Sequence, residues 1–151
     1  MKIMELTYFI ERDNEYEAFL TYKIPKNMHN DEKYARQLCE FFVTGGKEYE
    51  LQSNEMKGSE EILIVKEIGE ARRFTEETSY KGRGIFLEFR SYNASGDMPV
   101  LHTQALNSHW DVIRYLLKDV VDIPGKGQFL RDSAEIDEDR AVYVMYVGDK
   151  I

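Results

Sequence analysis

An α+β fold, with a mainly antiparallel sheet and two helices packed on one face, is what the sequence predicts, and three observations predict it. Two stretches near the start alternate apolar and polar residues with a period of two, as half-buried strands do. Two later stretches repeat apolar residues at helical spacing between capping residues and glycines. The strand signals also follow one another through short polar loops instead of alternating strictly with helices, which favours hairpins.

From Ile3 to Ile10 the even positions Met4, Leu6, Tyr8 and Ile10 are apolar, and Tyr16, Ala18, Leu20, Tyr22 and Ile24 repeat the pattern. The polar run Glu11–Glu15 between them is short enough to join antiparallel neighbours, and Pro25 closes the second strand because it has no N–H for a ladder. Asn30 or Asp31 can then cap a helix whose first turn is acidic. Ala35, Leu38, Cys39 and Phe42 share its face, and Gly45-Gly46 stops it. Tyr49 and Leu51 mark a short strand, and Glu61–Gly69, apolar on both faces, reads as a central one. Phe74–Tyr80 and Gly84–Tyr92 read as two more.

The second helix runs from Asn107 to Val121. Ser108 with Asp111 three residues on forms a capping-box pattern, Trp110, Ile113, Leu117 and Val120 line one face, and Pro124-Gly125 ends the helix. The polar, acidic segment 122–139 reads as a long irregular loop before an interior strand, Ala141–Val147. No repeat or linker divides the chain, so residues 1–151 form a single domain.

Composition narrows the function. Twenty Lys and Arg stand against 28 Asp and Glu, a formal charge of −8, so attraction to phosphate backbones works against the sign of the whole molecule and nucleic acid is disfavoured as a partner. No apolar run is long enough to span a membrane, the start of the chain lacks a signal-peptide core, and a single Cys forbids an internal disulfide, so a cytoplasmic location is expected. Ten Tyr, eight Phe and one Trp exceed what a minimal core needs and point to a recognition surface or subunit contact.

Motifs that carry chemistry fail on their own terms. Lys81-Gly82-Arg83-Gly84 leads into a strand as an RNA-recognition motif would, but Arg83 and Ile85 occupy the positions where bases stack on aromatic rings. Pro124–Gln128 follows a helix, whereas a phosphate loop follows a strand and ends in Gly-Lys-Ser/Thr. Cys39 falls late in the first helix on its apolar face, where a thiol packs rather than reacts. His102 and His109 are too far apart to share a metal, and no cofactor motif is present.

The sequence therefore predicts a non-enzymatic protein-interaction or self-associating domain. Its contact site is the sheet face away from the helices, where parity along Gly84–Tyr92 places Phe86, Glu88, Arg90 and Tyr92 opposite the core residues Ile85, Leu87 and Phe89. The alternative is a small-molecule-binding protein or small enzyme. Its pocket would lie between the second helix and the sheet, with His102, His109, Arg90 and Glu88 around Trp110.

Overall fold

In a computed structural model, residues 4–151 are described; the Ile3 start of the first predicted strand lies outside them. Strand β1 (Met4–Arg12) turns into β2 (Glu15–Ile24) through Asp13 and Asn14. Both turn residues have positive φ, which Asp and Asn tolerate and which matches the twist of a two-residue hairpin. Helix α1 is only Glu32–Gln37, and Phe41–Thr44, predicted as its continuation, is strand β3. An aromatic and β-branched run fits a pleated surface better than a helix. In β3, Phe42 stacks on Tyr8 on one side of the sheet while Val43 is buried on the other.

Gly45 and Gly46, both at positive φ, turn β3 into β4 (Lys47–Lys57), and Gly58 helps turn β4 into β5 (Glu60–Glu70). Segment 71–84, part of which was predicted as a strand, has no regular structure. Then come β6 (Ile85–Ser91), β7 (Val100–Leu106), α2 (His109–Leu116), β8 (Val120–Ile123), β9 (Gly127–Asp137) and β10 (Val142–Lys150). Residues 122–139 are thus not an irregular loop but most of a hairpin.

The predicted fold class is overturned. Strands hold 56% of the residues and helices 9%, so the protein is mostly β, with two short helices in place of a helical layer. The sheet is also mixed: its order is β2-β1-β5-β4-β3-β9-β10-β6-β7, with β8 on β9, and the pairs β1–β5, β3–β9 and β10–β6 are parallel. Parallel neighbours need a crossover, and here the chain supplies one by returning from each hairpin to the first strand of its own half.

That return happens twice. β1-β2-α1-β3-β4-β5 and β6-β7-α2-β8-β9-β10 are the same plan: an opening hairpin, a helix, a second hairpin, and a last strand antiparallel to the fourth and parallel to the first. The two halves join edge to edge through β3 and β9. The expectation of a chain without repeats is corrected at the level of topology.

One face of the sheet carries the main core. Leu6 and Tyr8, Leu63 and Val65, Leu87 and Phe89, and Tyr143, Met145 and Val147 pack with Ala35 of α1 and Val112, Ile113 and Leu116 of α2. Trp110 and Leu117, predicted to face inward, are 66% and 62% exposed. With Ser108 accepting from the Asp111 N–H as N-cap, positions 112, 113 and 116 point at the core and 110, 114 and 117 point away. On the far face, Tyr80, Met98, Val142, Val144 and Tyr146 form a second cluster, with Phe74 and Phe86 against it.

Candidate functional site

The residues predicted as a contact stripe divide between interior and rim. Ile85, Leu87 and Phe89 do face the core. The opposite side is covered, however: Glu88 and Arg90 are 1% and 0% exposed, Phe86 is half-buried, and Tyr92 is exposed at the strand's end. Segment 71–84 lies over them as a strap. Arg90 Nη2 donates to the Glu76 carbonyl at 2.6 Å, Arg140 Nη1 to the Thr78 carbonyl at 3.1 Å, and Phe74 sits over the Arg90 guanidinium at 4.1 Å.

Glu88 is the hub of this cluster. Its Oε1 accepts from Arg90 Nε and Arg140 Nη2, and its Oε2 from Tyr80 OH and Arg140 Nη1, all between 2.9 and 3.1 Å. Burial would raise its pKa, but the hydrogen bonds and charge of Arg140, then the charge of Arg90, hold it below the ordinary value. Arg140 also donates Nε to Asp137 at 2.9 Å. A carboxylate whose four lone-pair sites are filled locks a strap to a sheet; it offers nothing to a ligand.

Beside it, Glu48 and Glu135 share the same buried face with Arg72, whose Nε stands 3.6 Å from Glu48 Oε1. Burial first, then the neighbouring Glu48, push Glu135 well above the ordinary carboxylate range, while Arg72 opposes in part. The folded protein therefore holds a proton there that the unfolded chain has released, so stability falls as pH rises from the ordinary carboxylate value. Glu135→Gln, which keeps an acceptor for Tyr146 OH, is expected to flatten that slope. Thermal unfolding should show it more stable than the wild type at pH 7.5 by about 1 kcal/mol, roughly 2–4 °C, and close to it near pH 5.

The remaining predicted residues separate. His102 lies on β7, bonded to Gln104 and stacked on Phe89; Trp110 points outward; Glu88 and Arg90 are on the far face. His109 alone lines a cavity between the helices and the sheet.

That pocket, of about 380 Å³, opens where α1, the start of α2, the start of β6 and the β9–β10 turn meet. Its apolar walls are Ile85, Phe86, Ile136, Val142 and Tyr143. Its polar end is a chain of side chains built on Arg36. The guanidinium donates Nε to Glu32 Oε2 and Nη2 to Glu138 Oε2, each at 3.0 Å, and lies 4.8 Å from the Tyr22 ring and 5.6 Å from that of Phe42. Glu138 also accepts from Tyr22 OH and from Thr44 Oγ1. Among the described residues, Glu32 Oε1 meets only His109 Nε2, at 3.5 Å. Burial, the larger influence, pushes His109 below its ordinary value although Glu32 opposes, so the imidazole is neutral at pH 7 and leaves the Glu32 charge uncompensated on that side.

The pocket wall carries one strained residue. Ala141 has φ 58°, a left-handed conformation that a non-glycine residue adopts at a cost of roughly 1–2 kcal/mol, and it closes the β9–β10 turn against the cavity. A second cavity of similar volume lies at the opposite ends of the helices, around Leu38, Cys39, Leu117 and Arg131. It is more open, and one of its two cations is engaged, since Arg131 donates to both Glu40 carboxylate oxygens and to the Leu38 carbonyl; Lys118 is the other. Burial pushes the Cys39 thiol up, away from nucleophilic use.

Sequence reasoning missed Arg36, Glu32, Glu138 and Tyr143. Glu32 and Arg36 form an i,i+4 pair that reads as ordinary helix surface, and Glu138 belongs to an acidic run that reads as solvated charge. Compared with protein-family models, curated proteins and solved structures, the chain matches none. Among the described residues no helix is long and apolar enough to cross a membrane.

Proposed function

We propose that this is a non-catalytic binding protein, cytoplasmic as its lone buried thiol fits, whose pocket holds a small, largely apolar molecule carrying an N–H donor. The observation that supports it is the unequal use of the polar groups at the pocket's end. Arg36 gives Nε and Nη2 to Glu32 and Glu138 while, among the described residues, its buried Nη1 has no partner; Glu138 is taken up by Arg36, Tyr22 and Thr44, and Glu32 Oε1 keeps acceptor capacity beside a neutral His109. Aromatic and aliphatic walls with a few convergent polar atoms are how small-molecule sites are built.

A thermal-shift panel of primary amines and amides with an apolar body tests this. A binder at 100 times its Kd is expected to stabilise the protein by about 2.7 kcal/mol. Glu32→Gln should abolish the shift, and Glu55→Gln, an exposed change far from the pocket, should preserve it. Shifts of equal size in both variants would place the ligand elsewhere.

A further inference from the structure

The charges on the wall of the pocket do not balance. Arg36 is positive, Glu32 and Glu138 are negative and His109 is neutral at pH 7, so one cation stands against two anions, a net charge of −1. Lys33, the next cation along α1, is turned to Met4 Sδ at 3.5 Å and to the Tyr34 ring at 4.7 Å. Glu138 accepts hydrogen bonds on both oxygens, from Arg36, Tyr22 and Thr44, which leaves the unanswered charge at Glu32 Oε1. A carboxylate that is largely out of water is ordinarily paired, and the cavity in front of this one is empty of protein.

Taking this pocket as the binding site, we propose that the ligand's N–H donor is a primary ammonium group on an apolar body, an aralkylamine whose charge sits beside Glu32 Oε1. His109, whose Nε2 is 3.5 Å from that oxygen, reports the field there. Burial is the largest influence on the imidazole; among the charges, Glu32, which draws a proton in, outweighs His29 or Arg36, each of which repels one, and Asp31 adds to Glu32. His29 stacks on His109 with ring centroids 5.6 Å apart, and Tyr143 meets it edge-to-face at 6.0 Å. A cation is thus attracted to this spot, but imidazole holds its proton too weakly to be that cation. An alkylammonium starts from about 10.4, as Lys does, roughly four pH units higher, so the burial that strips imidazole leaves it charged at pH 7. A neutral amide has less to gain. Arg36 Nη1 and Tyr143 OH lack partners among the described residues, but both atoms are buried and present no surface to the carbonyl of a ligand. A cavity of about 150 Å³ already holds benzene, so 380 Å³ between Ile85, Phe86, Ile136 and Val142 has room for a phenyl ring and a short arm.

The probes are phenethylamine, phenylacetamide and phenethyl alcohol, one charged and two neutral compounds of similar shape, titrated calorimetrically into the full chain at pH 7.5. Phenethylamine is expected to bind the wild type at least tenfold tighter than either neutral compound, a comparison that needs no variant to fold, and Glu32→Gln should remove its binding. Acid supplies a second readout. A proton on His109 would answer the same carboxylate and is absent from the complex, so affinity for phenethylamine, which stays charged throughout, should fall at least threefold between pH 7.5 and pH 5. His109→Phe, which keeps a ring beside Tyr143, should flatten that slope. Phenylacetamide or phenethyl alcohol bound as tightly as the amine would overturn the ammonium and leave the pocket as the site, and so would a wild-type slope no steeper than that of His109→Phe. Binding of none of the three, nor of any amine or amide in the thermal-shift panel, would overturn the pocket itself.

Discussion

Glu88→Leu is expected to lower the unfolding free energy by about 3–5 kcal/mol, the cost of leaving a buried charge without its partner. The magnitude follows from geometry. Glu88 neutralises Arg90, which is fully buried, and Arg140, whose guanidinium would lose two hydrogen bonds of 2.9 and 3.1 Å. The strap loses Tyr80's anchor at the same time. Urea denaturation should show the loss, and Glu88→Met with Arg90→Met should recover only part of it, because Arg140 still lacks its carboxylate and the Met98 and Glu76 carbonyls lose their donor. The acid branch fixes the sign. A carboxylate held below its ordinary value of 4.5 contributes stability that is complete above that pH and is lost as pH falls through the lowered value. The gap between wild type and Glu88→Leu should therefore close in acid, whereas a simple cavity effect would leave it unchanged.

Arg36→Met is expected to cost less, about 2 kcal/mol, and to remove ligand binding. It leaves Glu32 and Glu138 without their cation, but those side chains are 20% and 30% exposed, so water takes up part of the charge that Arg36 balanced. Met retains the packing beneath Tyr22 and Phe42, which isolates the electrostatic part. Glu138→Gln placed on top of Arg36→Met should restore stability without restoring the pocket, since Glu32 would still lack the bond that orients it. A variant that binds ligand as the wild type does would mean that Arg36 only holds the core.

Much of the fold was legible where burial is one-sided or where both buried faces are apolar. The β1–β2 hairpin follows from period-two alternation and the Asp13-Asn14 turn, and β10 from its continuous apolar run. What sequence patterns concealed was burial on both faces by charged side chains. In β9, Ala134 and Ile136 face the main core while Glu135 and Asp137 are buried on the other side, so an interior strand looks like a polar loop. β3 was lost because Phe42 continues the helical spacing of Ala35 and Cys39, and only the pairing to β4 and β9 decides it. The predicted pocket shares one residue with the observed one, His109, because cap position alone places that side chain at a helix start. Arg36, Glu138 and Tyr143 come together from α1, the β9–β10 turn and β10, and no spacing in the chain encodes that meeting.

Amide chemical-shift mapping with the small amines and amides that stabilise the protein tests the central claim most directly. Shifts confined to Gly84–Phe86, His109 and Glu138–Tyr143, and absent from Glu32→Gln, are expected if the pocket is the binding site. Shifts centred on Leu38–Glu40 and Leu117–Asp119, or scattered over the surface without saturation, would contradict it.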